Sequence, residues 1–180
     1  MEREIEVKLL EVDLEKLEKD LVDKGAKFLG EEHQVNYIIN STFHPISTPG
    51  YLRLRKTVKN DEESLEFTFK KQSIQDETRD SNEYTTHIDN AENLLKIMEL
   101  LDYDQIERGE KLRRCFEYNG ARFDLDRWDD NTYPIPYAEI EGESAEAIYE
   151  LVEEFGLSKE QVTTKSINDL KKEYFNNKNK

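Results

Sequence analysis

Two Glu-x-Glu segments lie near opposite ends of this 180-residue chain, Glu4-Ile5-Glu6 and Glu139-Ile140-Glu141. Successive side chains of a β-strand point to opposite faces of the sheet, so both glutamates of each segment share one face. If the two strands come together, their four carboxylates repel each other and resist ionisation unless a cation lies among them. Carboxylate oxygens are ligands that suit Mg2+ or Mn2+. The spacing therefore predicts a site for a divalent metal ion.

Basic side chains follow the same alternate spacing in the middle of the chain, with apolar residues between them. They are Arg53, Arg55, Lys70, Lys111 and Arg113, and Asp124 and Asp126 repeat the pattern with acids. For a single strand, a solvated polar face is the ordinary explanation. Nearly every predicted strand shows the pattern, however, and the predicted helices need apolar strand faces to bury against, so we expect the charged faces to point inward. Such a lumen has the groups that hold a metal ion and a polyphosphate together.

The periodicity predicts one domain over residues 1–175, built from about eight strands and four helices, with a polar tail at 176–180. The strands are predicted over residues 2–10, 27–40, 51–56, 64–71, 81–88, 105–118, 120–128 and 135–141. Helices are predicted after Asp13, after a capping box of Asp89 and Glu92, after Ser144, and over residues 166–175. Residues 41–50 and 73–80 are predicted as loops, 59–62 as a turn and 119–120 as a tight hairpin turn. Because several strands are hairpin neighbours, we expect a largely antiparallel sheet.

The composition, with 36% hydrophobic and 37% charged residues, is that of a soluble globular protein. Its formal net charge of −15 argues against nucleic acid and anionic membranes as partners, since both attract basic surfaces. No apolar run approaches the ~20 residues that span a bilayer, and the charged N-terminus does not resemble a signal peptide. Cys115 is the only cysteine, which excludes an internal disulfide and favours a cytoplasmic location.

In this order along the chain, the charged residues resemble the signature of the CYTH family, also called triphosphate tunnel metalloenzymes. The family's Glu-x-Glu-x-Lys strand corresponds to Glu4, Glu6 and Lys8. The further matching positions are Arg53, Arg55, Thr68, Lys70, Glu83, Lys111, Arg113, Asp124, Asp126, Glu139, Glu141 and Lys165. The second strand departs from the family pattern, because residues 34–41 lack the acids that many members carry there. His33, His44 and His87 match no family position and are interpreted as structural or surface residues.

The resemblance implies an α+β fold, a closed barrel of about eight antiparallel strands with a charged lumen and helices packed on the outside. It also implies Mg2+ or Mn2+ as cofactor and a small-molecule triphosphate as substrate. By the same resemblance, the metal ligands are Glu4, Glu6, Asp124, Asp126, Glu139 and Glu141. The substrate-binding residues are Arg53, Arg55, Lys70, Lys111, Arg113 and Lys165. Glu4, Glu6 and Lys8 are predicted to act in catalysis.

The leading functional hypothesis is metal-dependent hydrolysis of inorganic tripolyphosphate, a nucleoside triphosphate or thiamine triphosphate. A class IV adenylyl cyclase, which converts ATP to cyclic AMP and pyrophosphate, is the alternative within the same family. A non-catalytic module that binds a nucleotide or polyphosphate is the third hypothesis, and a plain sheet with a solvated charged face is the fourth. Which triphosphate and which metal are used, which group is the general base, and whether the chain forms a homodimer all stay open at this point.

Overall fold

The computed structural model of the protein describes residues 2–74 and 77–178. Its strands are β1 (Glu2–Leu9), β2 (Lys27–Asn40), β3 (Gly50–Lys59), β4 (Glu62–Ile74), β5 (Arg79–His87), β6 (Gln105–Tyr118), β7 (Ala121–Trp128), β8 (Tyr137–Gly142) and the short β9 (Val162–Thr163). Its α-helices are α1 (Leu14–Asp23), α2 (Ala91–Leu100), α3 (Ala145–Glu154) and α4 (Ile167–Lys178). One 3-10 turn covers Lys159–Gln161.

Eight strands close into a barrel in the order β5-β4-β3-β2-β6-β7-β8-β1, and β1 pairs back onto β5. Every pairing in this ring is antiparallel. The two-residue β9 adds to the end of β1, where Lys8 and Leu9 face Thr163 and Val162. The predicted fold, a closed antiparallel barrel with helices outside, is confirmed.

Two tight turns set the register of neighbouring strands. Asn119 and Gly120 join β6 to β7 with φ angles of 48° and 77°, as the predicted Asn-Gly turn requires. Asn60 and Asp61 join β3 to β4 with φ angles of 51° and 62°. The β3–β4 hairpin is therefore tighter and longer than predicted, because two short polar residues accept the left-handed conformation and let both strands extend.

The helices cover the apolar outer faces of the strands, which leaves the charged faces inside. Helices α1 and α3 pack on the largest apolar cluster, which includes Val7, Phe123 and Ile140 from the strands. Helix α2 covers β2 and β3 through Met98, which packs with Ile39 and Leu54. Helix α4 has its own smaller cluster with the β7–β8 connection and β8. Because the helices occupy the apolar faces of the strands, the charged faces point into the barrel. This arrangement is the physical cause of the charged lumen.

Several predicted boundaries differ from the structure. Helix α2 is capped by Asn90, whose Oδ1 accepts from the backbone N–H of Asn93 at 2.7 Å, and not by the predicted Asp89–Glu92 box. Residues 73–80 were predicted as a loop, but β4 continues to Ile74 and β5 begins at Arg79, while residues 75 and 76 lie outside the described part. The predicted tail from residue 176 is helical as far as Lys178. No helix in the described ranges is long and apolar enough to cross a membrane.

Candidate active site

A cavity of about 420 Å³ fills the barrel and is lined by side chains from β1 to β8. Among the described residues, eleven of its lining side chains are lysine or arginine and eight are aspartate or glutamate. The lining therefore carries more positive than negative charge, whereas the whole chain has a net charge of −15. Such a reversal of sign concentrates anions in the lumen of an otherwise acidic protein.

The lumen has two ends. Helix α4 lies over one end, where residues 166–169 and Lys171 join Trp128 in the lining. At the other end a second cavity begins that shares Glu4, Arg55 and Glu141 with the first and reaches His87. His87, interpreted from the sequence as a structural or surface residue, thus lies at this mouth. His33 and His44 are exposed and line neither cavity.

The two Glu-x-Glu strands are direct neighbours in the barrel. Glu6 of β1 is opposite Glu141 of β8, and Lys8 is opposite Glu139. The Nζ of Lys8 lies 3.0 Å from Glu139 Oε1. Burial alone would raise the pKa of Glu139, but Lys8 and Arg113 hold it well below its usual range. Glu139 is therefore ionised in the free protein.

Glu141 differs from the other carboxylates of this cluster because it has no hydrogen bond or ion pair with any described residue. Burial raises its pKa to about 7, and repulsion from Glu4 and Glu6 contributes to the rise. The pKa of Glu4 is also raised, chiefly by burial, although Lys70 opposes the shift. This is a region with too much negative charge for its surroundings, and an added cation would relieve it.

These residues fit a hard divalent cation by their chemistry, because all the candidate ligands are carboxylate oxygens and Glu141 is unpaired among the described residues. As the side chains stand, no three Asp, Glu, His or Cys side chains within the described part of the chain are grouped closely enough to ligate one ion. The reason is that Glu4, Glu6 and Glu139 each contact a lysine. Metal binding therefore requires side-chain rearrangement that frees carboxylates from these lysines.

Arg113 of β6 is the centre of a buried ion-pair network with carboxylates of β7 and β8. Its Nε and Nη2 lie 2.6 Å from the two oxygens of Asp126, its Nη1 lies 2.6 Å from Asp124, and Nη2 also contacts Glu139 at 2.5 Å. Lys111 donates to Asp126 at 2.7 Å. Burial alone would raise the pKa of Asp126, but Arg113 and Lys111 lower it. The carboxyl is thus ionised and fully engaged.

Arg53, Lys70 and Glu83 form a second network on β3, β4 and β5. Lys70 contacts Glu4 and lies 3.2 Å from Glu83, while Arg53 donates to Glu83 at 3.3 Å. The predicted Thr68 is fully buried and shares a 2.9 Å hydroxyl contact with Thr85. The structure therefore places Arg53 and Lys70, two of the predicted substrate-binding residues, beside the first Glu-x-Glu strand.

Arg55 has no ion pair with a described carboxylate. Its Nε donates instead to the neutral Oδ1 of Asn36 at 2.9 Å. Burial and repulsion from Arg53 and Arg113 lower the pKa of Arg55 to about 10, so the guanidinium stays charged at neutral pH. The lumen thus contains an uncompensated cation as well as the crowded carboxylate of Glu141.

Two predicted site residues lie away from the cavity lining. Lys165 was expected to enter the tunnel, but its Nζ is at the surface and pairs with Glu173 of α4 at 2.7 Å. Asp126, expected as a metal ligand, is fully buried behind Lys111 and Arg113. Its oxygens already accept three charge-assisted bonds, which favours a structural role.

Arg79 and Asn36 are among the cavity-lining residues that sequence reasoning missed. Arg79 fell in a predicted loop, yet it is buried, and its Nη1 lies 3.6 Å from Glu6. Its spacing of four residues from Glu83 was an available signal, since Arg79 and Glu83 share a strand face once β5 is extended. Asn36 was considered only as part of a segment that lacks the family's acids. It lies two residues from Gln34 on the same face of β2, and both residues are buried.

Replacing Glu141 with glutamine is expected to raise the melting temperature of the metal-free protein at pH 8 by a few degrees, because it removes a carboxylate that Glu4 and Glu6 repel. Glu141 has a folded-state pKa of about 7, above its ordinary value of 4.5, so the folded state binds this proton more tightly. Protein stability should therefore gain from Glu141 as the pH falls from 8 toward 5, and the variant should lack this gain.

Thermal unfolding in EDTA across that pH range measures the effect. Glu143→Gln is the matched control, because Glu143 is exposed just beyond the end of β8. A melting temperature at pH 8 that is equal or lower in E141Q than in the unchanged protein would contradict the crowding of these carboxylates.

The chain is similar to known proteins in both sequence and fold. The sequence profile of the CYTH domain matches residues 2–174. The structure of the PH1819 protein from Pyrococcus horikoshii OT3 has 18% sequence identity and a TM-score of 0.81, over 95% of this chain and 99% of that chain. A candidate adenylate cyclase from Vibrio parahaemolyticus has 17% identity and a TM-score of 0.73, over 93% and 96% of the two chains.

A third similar structure is that of HpAC1 from Hippeastrum, a candidate adenylyl cyclase with a dominant triphosphatase activity. It has 14% identity and a TM-score of 0.64, over 92% of this chain and 91% of that chain. Among curated protein sequences, none is significantly similar to this chain. At these identities the three structures establish a shared fold.

Proposed function

The chain belongs to the CYTH domain family, and on this basis we propose that it is an enzyme that hydrolyses a triphosphate in its barrel lumen with the help of a divalent metal ion. The substrates proposed are inorganic tripolyphosphate, a nucleoside triphosphate or thiamine triphosphate. Mg2+ or Mn2+ is the proposed cofactor, since all the candidate ligands are carboxylate oxygens.

The observation that carries this proposal is the pair of uncompensated charges in one cavity. Within the described part of the chain, Arg55 forms no ion pair with a carboxylate and Glu141 forms none with a basic group, although both line the same lumen. A metal–triphosphate complex has a cation for Glu141 and phosphate oxygens for Arg55. Half-buried charges without ion pairs are costly, so a ligand that supplies both partners gains affinity from relieving that cost.

The proposed roles follow from position in the lumen. The phosphate-binding residues are Arg53, Arg55, Lys70, Lys111 and Arg113, with Lys8 beside them. The metal ligands are drawn from Glu4, Glu6, Asp124, Glu139 and Glu141. When bound, the metal ion would neutralise phosphate charge and polarise a phosphoryl oxygen. The lysines that now contact Glu4 and Glu139 would turn to the phosphates as those carboxylates bind the ion.

Hydrolysis in such a lumen depends on positioning and charge stabilisation. Phosphoryl transfer places developing charge on the phosphate oxygens, and preorganised arginine and lysine donors stabilise it. No serine, cysteine or histidine nucleophile is required for this chemistry. The buried side chains of Arg53, Lys70 and Arg113 are held by carboxylates before substrate arrives, which lowers the entropic cost of binding it.

Hydrolysis is preferred here to cyclisation of ATP, and the dominant triphosphatase activity of the Hippeastrum protein supports that preference. The two reactions give different products from one substrate. Incubation with Mg2+ or Mn2+ and either tripolyphosphate or ATP, followed by phosphorus NMR, separates them. Orthophosphate release is the expected result.

A preparation of the Glu4→Gln variant, purified in the same way, controls for contaminating phosphatases, because Glu4 is a proposed metal ligand. Cyclic AMP with pyrophosphate would replace the hydrolase proposal by the cyclase. Tight binding of tripolyphosphate or ATP with neither product over hours would indicate the non-catalytic module. Failure to bind either compound would overturn the triphosphate proposal.

A further inference from the structure

Asn36 of β2 lies directly across from Arg55 of β3 in the barrel wall. Its side chain faces the lumen and the residue is only 3% exposed. Its Oδ1 accepts a hydrogen bond from Arg55 Nε at 2.9 Å. Its Nδ2, by contrast, is buried without a hydrogen-bond partner among the described residues.

The orientation of this amide follows from chemistry. A guanidinium can only donate hydrogen bonds, so Arg55 must face the oxygen of the Asn36 amide and not its nitrogen. The Nδ2 group is then fixed as a donor whose hydrogens are unused. A buried donor left unsatisfied destabilises the fold, so a ligand that supplies the acceptor here relieves that cost when it binds.

The neutrality of Asn36 also explains the electrostatic state of Arg55. A carboxylate at position 36 would form an ion pair with Arg55 and cancel its charge. With the amide in place, Arg55 is positioned by a hydrogen bond and still repelled by Arg53 and Arg113. The residue thus orients the guanidinium while leaving its positive charge available.

We propose that Asn36 is a further substrate-binding residue that fixes Arg55 through Oδ1 and donates from Nδ2 to an oxygen of the same phosphoryl group. This inference rests on the proposed function. It specifies the binding position of one phosphoryl group, beside β2 and β3 in the lumen. The group recognised is a phosphoryl oxyanion, whose oxygens accept from a guanidinium and from a neutral amide at once.

The test is calorimetric titration of the full chain with tripolyphosphate in EDTA, where hydrolysis does not proceed and metal contacts are absent. The isosteric Asn36→Asp variant is expected to raise the dissociation constant at least tenfold, since its carboxylate would pair with Arg55 and repel phosphate. Asn36→Leu should weaken binding less, because it removes two hydrogen bonds without adding a negative charge. Asn40→Asp is the matched control, with the same added charge on an exposed residue of the same strand.

A second readout tests contact directly and uses the unchanged protein. The side-chain amide signal of Asn36 in a proton–nitrogen NMR spectrum, assigned by its loss in N36L, should shift on saturation with tripolyphosphate. This measurement decides the matter if N36D does not fold. An unmoved signal would overturn the inference.

The outcomes separate this inference from the proposed function. If the unchanged protein binds tripolyphosphate and N36D binds it equally well, Asn36 has no such role while the proposed function stands. If N40D weakens binding as much as N36D does, the effect is one of overall charge and the inference is wrong. If the unchanged protein binds none of tripolyphosphate, pyrophosphate and ATP, either in EDTA or with Mg2+, both fail.

Discussion

Replacement of Arg113 by methionine is expected to lower the free energy of unfolding by about 3–5 kcal/mol, the usual cost of breaking a buried ion pair from one side. The side chain of Arg113 is 9% exposed and contacts Asp124, Asp126 and Glu139. Methionine preserves the apolar stem but leaves these carboxylates without their shared cation. Their mutual repulsion in a buried site then destabilises the fold.

Urea unfolding at neutral pH measures this loss, and the neighbouring residue provides the control. Arg114 points outward, is 38% exposed and pairs with Glu18 and Glu31 at the surface. Exposed pairs of that kind contribute about 0–1 kcal/mol, so Arg114→Met should have a small effect. Equal losses of unfolding free energy in the two variants would mean that the ion pairs of Arg113 in the lumen stabilise the fold no more than those of Arg114 at the surface.

A second substitution identifies the cause of the Arg113 effect. Adding Asp126→Asn to the Arg113→Met variant removes one of the buried carboxylates that have lost Arg113. We expect the double variant to regain part of the lost stability, which a loss caused by packing alone would not allow. The comparison forms a double-mutant cycle for two residues in direct contact.

Replacement of Lys70 by methionine is expected to reduce triphosphate hydrolysis by roughly 10²–10³-fold, the usual effect of removing one preorganised charge donor. Lys70 is 5% exposed and contacts Glu4, with Glu83 at 3.2 Å and Glu6 at 3.6 Å. Burial alone would lower its pKa, but Glu6, Tyr51 and Glu4 raise it, so the ammonium is charged throughout the working pH range.

Initial rates of phosphate release with tripolyphosphate and Mg2+ or Mn2+ measure the Lys70 effect. Lys71→Met is the matched control, because Lys71 is exposed on the outer face of the same strand. Its rate should stay within about twofold of the unchanged protein. A Lys70→Met variant that is folded and retains full activity would remove Lys70 from the proposed site.

The barrel was predictable because alternation of charged and apolar residues is a local property of each strand. Glu4 and Glu6 share a face whatever the partner strand, and the same is true of Arg53 and Arg55. Turn chemistry was equally local, as Asn119 and Gly120 show. Boundaries at Ile74 and Arg79 were not predictable, because the polar residues there become strand only through pairing with each other and with β1.

The sequence predicted which residues face the lumen better than it predicted where each of their side chains lies. Lys165 matched a family position, but the nearby Glu173 on α4 holds it at the surface. Asp126 alternates with Asp124, yet only Asp124 lines the cavity, because Lys111 and Arg113 cover Asp126. Both outcomes depend on neighbours from distant parts of the sequence.

By itself, then, the amino-acid sequence determined which residues face inward and that the inner face mixes acids with bases, since both follow from a period of two residues. Only the tertiary structure decided which of these charges are paired. Pairing depends on strand register and on closure of β1 against β5, which place Glu6 opposite Glu141 and Asn36 opposite Arg55. The charges left without partners, at Arg55 and Glu141, arise from that geometry, because electrostatic compensation is a property of neighbours in space.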